Sequence, residues 1–158
     1  MTAEIVKAAR EELKLDIGEP TAEEIKVGVG SAIAHGERLE ITVRGRDLTT
    51  GLPREAVIKD SQVRLWLSRS LKMIVEALKD LIESAPPELV GDIYKNGIYL
   101  CGGGSLLRGI EQLFIKEIGV QVKVVEDPLN CVARGTGIII ENFNDHGHLL
   151  NNFSNFNL

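Results

Sequence analysis

Three consecutive glycines, Gly102, Gly103 and Gly104, follow the apolar run Ile98-Tyr99-Leu100-Cys101 and precede Ser105-Leu106-Leu107-Arg108. Residues without a Cβ let the backbone come into van der Waals contact with a planar base or a ribose phosphate. The free N–H groups of a helix that starts there favour an anion. The chemistry such a corner offers is nucleotide binding. A second pair, Glu23 and Lys26, is spaced so that a carboxylate and an ammonium share one helix face. Taken alone, such a pair is more often a plain surface ion pair, and a glycine corner more often a plain tight turn.

Other reactive side chains carry less. Cys101 and Cys131 are the only two cysteines, too few for a disulfide framework and without metal-ligand spacing. Both are expected to be reduced and to pack as small hydrophobes. His146 and His148 flank a glycine with no carboxylate or thiolate constellation beside them, so no metal site is assigned. No catalytic residue is assigned either.

The elements that must position these residues are legible in hydrophobic spacing. Ile5, Ala8, Ala9 and Leu13 recur at helical intervals over Thr2 to Leu13. Thr21 and Glu24 after Pro20 read as a capping box opening a second helix to Val29. Leu39, Ile41 and Val43 alternate with polar residues, predicting a half-buried strand from Glu37 to Arg44, paired with Arg54 to Lys59 across a projecting loop, Gly45 to Pro53. Asp60 or Ser61 is the expected cap of a long helix carrying Val63, Leu67, Leu71, Ile74, Val75, Leu78, Leu81 and Ile82, stopped by Pro86-Pro87. A short helix then runs toward Lys95.

The strand entering the glycine corner, a helix from Ser105 to Ile118 ended by Gly119, and a strand from Gln121 to Val125 predict one right-handed crossover with parallel strands. Asn130 to Glu141 is a final helix. Its patch Arg134-Gly135-Thr136-Gly137 predicts close approach by another backbone or a ligand. The last eighteen residues hold six asparagines and no apolar period, which predicts a disordered tail.

Length and composition bound the function. The 158 residues suffice for one domain or one and a half, and 44% hydrophobic and 26% charged residues fit a globular protein. The 18 basic and 23 acidic side chains are scattered and sum to −5, which argues against nucleic acid as a partner. Met1 to Arg10 holds no signal-length apolar run, and no segment reaches the roughly 18 apolar residues that span a bilayer. A cytoplasmic location is expected.

Four ordered motifs then coincide: Pro20-Thr21-Ala22-Glu23-Glu24-Ile25-Lys26; Val43 to Pro53; Cys101-Gly102-Gly103-Gly104-Ser105-Leu106-Leu107-Arg108-Gly109; and Glu126-Asp127-Pro128-Leu129-Asn130-Cys131-Val132-Ala133-Arg134-Gly135-Thr136-Gly137. Together they closely resemble the MreB family of bacterial actins, within the actin and DnaK-type chaperone superfamily, over nearly the whole chain to Asn142. The resemblance implies an α/β fold, the actin-like (ribonuclease H-like) second domain. Residues 1–20 would form a leading helix and connection, 21–68 a small α+β outer subdomain containing the hairpin, and 69–142 an incomplete inner subdomain with the parallel strand-helix-strand unit. Residues 143–158 would form the tail.

The resemblance implies ATP or ADP as ligand, with adenosine held between Gly102, Gly103, Gly104 and the helix bearing Glu23 and Lys26. It implies a filament-forming partner: another copy, a full-length MreB-like subunit, or a separate first half. The family's D-x-G-G-G-T phosphate loop and first domain are not in this sequence, so Mg²⁺ and hydrolysis are expected only with a complementing half, and direct membrane binding is not expected of this segment. Position 101, commonly threonine in the family, is cysteine.

Two rival readings remain at this level. A Rossmann-type dinucleotide binder is mimicked by the glycine corner with Glu126 downstream, but the third glycine of its fingerprint would be Leu107. A truncated actin acting without nucleotide, as a capping or interaction module, is the stronger rival, because the phosphate loops are missing.

Overall fold

The computed structural model describes residues 1–36 and 38–146. The predicted strand start at Glu37, His148 and the tail beyond His146 lie outside the described residues. The chain opens with α1 (Thr2–Leu13), whose Ile5 and Ala9 are buried one turn apart, and Lys14 closes it in a left-handed conformation. Strand β1 (Leu15–Asp16) pairs antiparallel with β2 (Glu40–Asp47), and β2 pairs antiparallel with β3 (Pro53–Lys59), giving the order β1-β2-β3.

Between β1 and β2 runs α2 (Glu19–Val29), which buries Ala22, Ile25 and Val29. It starts two residues earlier than the spacing predicts. Gly18 is its N-cap, Pro20 sits in the first turn and Thr21 makes no cap. Proline there costs the helix nothing, since its missing N–H is one of the unpartnered groups of a first turn.

The hairpin differs from expectation for a similar local reason. Strand β2 continues to Asp47, so the projecting segment shrinks to Leu48–Leu52. Asp47 closes the turn: its N–H donates to Leu52 O (2.9 Å), and its Oδ1 accepts from the Thr49 and Thr50 N–H groups at 2.7 and 3.0 Å. An Asx turn of this kind substitutes side-chain acceptors for the missing ladder bonds.

The long helix α3 (Asp60–Ser84) begins with Lys59, not Asp60, as its N-cap, and the Gln62 side chain accepts from the Lys59 N–H at 3.0 Å. Val63, Trp66, Leu67, Leu71 and Val75 are buried, whereas no residue beyond Val75 is. Helix α4 (Pro87–Asn96) leads into β4 (Ile98–Leu100), which pairs in parallel with β5 (Val122–Val124) through α5 (Ile110–Ile118). The predicted crossover is thus present.

One hydrophobic cluster unites the elements: Ile5 of α1, Ile25 of α2, Ile58 of β3, Leu67 of α3, Phe114 of α5 and Val122 of β5 belong to it. Helices α6 (Cys131–Glu141) and α7 (Phe143–His146) bury nothing. The small-residue patch of α6 meets no neighbour: Cβ atoms built on Gly135 and Gly137 would enter open space. Within the described residues no other backbone approaches there, so the half of the expectation that named another backbone is not met.

Candidate nucleotide-binding corner

The glycine corner is not the start of a continuous helix. Gly103–Leu106 form a 3₁₀ turn, Leu107 is extended, and α5 begins only after Gly109. Gly102 has φ 79° and ψ 170°, a backbone region open essentially to glycine. Its polar groups are spent inside the fold. The N–H donates to Pro128 O (2.7 Å), and the carbonyl accepts from the Ser105 N–H at 3.1 Å and from Ser105 Oγ at 2.7 Å. A 3₁₀ turn leaves the N–H groups of its first residues without partners in the turn, here Gly103 and Gly104.

The exit of the corner is strapped to the C-terminal end of α2. Arg108 donates to the Gly28 carbonyl and, at 3.4 Å, to the Val27 carbonyl, and the Ala32 N–H donates to Arg108 O at 2.7 Å. A guanidinium on terminal carbonyls also complements the helix dipole. Gly30 permits the approach, because a Cβ there would lie 2.2 Å from Lys26 O and 3.1 Å from Leu107 Cδ1. The face of α2 bearing Glu23 and Lys26 is therefore held in fixed register with the glycines.

Between them is a cavity of about 210 Å³ lined by Glu23, Lys26, Gly103 and Gly104, with Val27 and Leu129 among its apolar walls. Four of the five residues expected at the site thus share one cavity, and Gly102 lies just outside, shaping the strand exit. The volume is below the roughly 300–1,000 Å³ of pockets that enclose a whole small molecule. Val27, Leu106 and Leu129 are 70%, 54% and 65% exposed, so the rim presents apolar surface that a planar ring would cover.

The polar edge is preorganised. Lys26 Nζ lies 2.7 Å from the Glu23 carboxylate, and Thr2 Oγ1 donates to Glu23 Oε2 at 2.9 Å. Lys26, and after it Thr2, hold the Glu23 carboxyl below the usual glutamate range. Glu23 is thus ionised and an acceptor at neutral pH, half-exposed toward solvent, while the Lys26 stem is mostly covered.

Larger clefts lie elsewhere. One, about 300 Å³, runs between α3 and α5 past Leu71, Val75 and Leu113; another, about 520 Å³, lies by Arg38, Glu40 and Arg64; a third, about 230 Å³, lies by Glu4, Trp66 and Arg69. None of these brings glycine backbone to a carboxylate, so the smaller cavity remains the candidate. Among the described residues no three His, Cys, Asp or Glu side chains converge as metal ligands. Among the described residues no helix is long and apolar enough to cross a membrane. The cysteines depart from expectation: Cys101 is exposed, not packed, and the neighbouring Cys131 thiol holds its thiol above the ordinary range. Their separation in sequence gives no sign of this.

This geometry has close counterparts. The chain is 43% identical over 139 residues to the cell shape-determining protein Mbl of Bacillus subtilis, covering 88% of this chain and 42% of that protein. It is 46% identical over 131 residues to MreB of Escherichia coli, covering 83% of this chain and 38% of that one. The structure superposes on MreB 5 of Spiroplasma citri bound to AMPPNP with a TM-score of 0.87 and 36% identity, over 93% of this chain and 44% of the other. The chain therefore spans less than half the length of these relatives. A model of the MreB/Mbl protein family matches residues 1–148. With its mixed α/β architecture and paired sheets matching an actin-like relative, the chain belongs to the MreB/Mbl family of actin-like cell shape-determining proteins.

Proposed function

We propose that this segment supplies the adenosine side of an ATP or ADP site in a filament-forming bacterial actin that governs rod shape. The observation that carries the reading is the cavity in which Glu23, Lys26, Gly103 and Gly104 meet. The backbone of Gly103 and Gly104, turned by Gly102, faces base and ribose; the Glu23 carboxylate accepts from ribose hydroxyls; the Lys26 stem covers one face of the base. A structural relative is described as bound to AMPPNP, an ATP analogue.

When bound, the nucleotide supplies the phosphoanhydride bond that the family cleaves. The residues here only bind and orient it. On this reading Mg²⁺ and the attacking water are held by groups of a complementing half, as phosphoryl transfer requires. The segment alone is proposed to turn over no ATP.

Assembly is the second part of the proposal. The hairpin tip, with Leu48 and Leu52 at 48% and 65% exposed, contacts the next subunit of a head-to-tail filament. The division into leading helix (1–20), outer subdomain (21–68), inner subdomain (69–142) and tail (143–158), and a cytoplasmic location, belong to this reading. The test is equilibrium binding of ATP to the folded chain and to Gly103→Asp and Lys26→Ala. The reading expects saturable binding that Gly103→Asp abolishes and Lys26→Ala weakens by about tenfold, the scale of losing one good contact. Equal affinity in all three would refute the site.

A further inference from the structure

Cys131 and the residue that follows Cys101 converge on a single backbone carbonyl. Pro128 O accepts from the Gly102 N–H at 2.7 Å, and the Cys131 Sγ donates to the same oxygen at 3.4 Å. Cys101 is the residue bonded to Gly102. A second bond, from the Val125 N–H to Leu100 O at 3.0 Å, fastens the same two segments one step earlier. The parallel pairing of β4 and β5 holds this register, with Leu100 opposite Val124. Strand ends in parallel register thus lay side by side two cysteine-bearing segments thirty positions apart in sequence. The neighbouring Cys131 thiol raises the Cys101 thiol above the ordinary range, in keeping with the two segments lying side by side.

From this juxtaposition we propose that Cys101 and Cys131 form a reversible modification site: a vicinal dithiol that a peroxide oxidises to an intramolecular disulfide. Cys101 is exposed and Cys131 half-buried, which assigns the order of events. The Cys101 thiolate attacks one oxygen of hydrogen peroxide, the O–O bond breaks, and Cys101 sulfenic acid forms with release of hydroxide, which takes up the thiol's proton as water. The Cys131 thiolate then attacks the sulfenic sulfur; the S–S bond forms, the S–O bond breaks, and a second water leaves. Two thiols lose two electrons and two protons, and one peroxide becomes two waters. An exposed disulfide of this type is readily reduced by a low-molecular-weight thiol.

The bond has a structural consequence. Leu129, between Pro128 and Cys131, lies where a Cβ on Gly103 would be 3.3 Å from its Cδ2. The linkage therefore ties the strand that enters the glycine corner to the turn that forms the opposite wall of the small cavity. It also anchors α6, which buries no residue of its own. The dithiol does not depend on the nucleotide reading.

The test uses the whole chain, whose two cysteines account for every thiol. The reduced, folded protein is treated with hydrogen peroxide, blocked with an alkylating reagent and analysed by mass spectrometry and non-reducing peptide mapping. The proposal expects both thiols to disappear together, a monomer lighter by two hydrogens, and a linked peptide pair containing Cys101 and Cys131, all reversed by a reducing thiol. Cys131→Ser is expected to stop at Cys101 sulfenic acid or a mixed disulfide. Thiols lost independently, or only intermolecular dimers, would overturn the proposal. So would a linked product formed as readily from the urea-denatured chain as from the folded one.

Discussion

At the scale of single residues the fold rests on a few groups with no substitute. Gly102 is one, because its φ of 79° with ψ near 170° excludes a Cβ on backbone grounds alone, although space around it is open. Gly102→Ala is expected to cost about 1–3 kcal/mol of stability, the range for one residue forced into that region, read from urea unfolding. Two aspartates set the acid limit. Asp16 accepts from Arg10 at 2.7 Å and Arg46 at 3.0 Å, and these guanidiniums, Arg10 first, hold its carboxyl below the usual range. Asp47 is lowered by the Thr50 and Thr49 N–H groups and by Arg54. A carboxyl depressed in the folded state contributes stability that is fully present above its unfolded value and is lost as pH falls through its folded value. The melting temperature is therefore expected to hold above the ordinary aspartate value of 3.8 and to fall below it. Asp16→Asn should flatten that fall; an unchanged acid slope would contradict the assignment.

At the scale of elements, each helix read from apolar spacing exists, and the departures are local. Ile5 and Ala9, or Val63, Leu67 and Leu71, announce their helices because core-facing positions must recur with the helical period. Thr21 misled because proline at the first turn can start a helix earlier than a polar cap does. The run after Gly104 misled because helical composition does not reveal that Leu107 is extended and that Arg108 is strapped to α2. Hairpin length misled because Asp47 replaces strand bonds with side-chain bonds. For the site, the residue identities of the glycine corner and of Glu23 and Lys26 were readable, whereas their shared cavity and the apposed cysteines were not. Both of the latter depend on tertiary register. The hairpin tip tests the assembly proposal at this scale. Leu48→Ser with Leu52→Ser is expected to abolish self-association seen by light scattering while shifting stability by only about 0.5 kcal/mol, as exposed sites usually do. Undiminished association would remove the tip from the interface.

At the scale of the whole molecule, large apolar side chains stand uncovered on several elements. Leu81 of α3, Tyr94 of α4, Tyr99 of β4 and Ile140 of α6 are 65%, 75%, 62% and 66% exposed. Among the described residues the second sheet has two strands, β4 and β5, and hence open edges. Two strands are marginal by themselves, and an open edge invites pairing with another chain. On this account the chain self-associates or docks with a complementary half, and sedimentation at rising concentration should show a larger species. A monomer at all concentrations would speak against it. The nucleotide corner lies apart from that need, since its walls come from α2, the glycine turn and Leu129 within this chain. The most direct measurement is calorimetric titration of the folded chain with adenosine and with ATP. Saturable heat from both, with affinities within about one order of magnitude because the phosphates find no partner here, is the predicted result; a folded chain that gives no heat with either ligand would contradict the adenosine site and leave an interaction module that works without nucleotide.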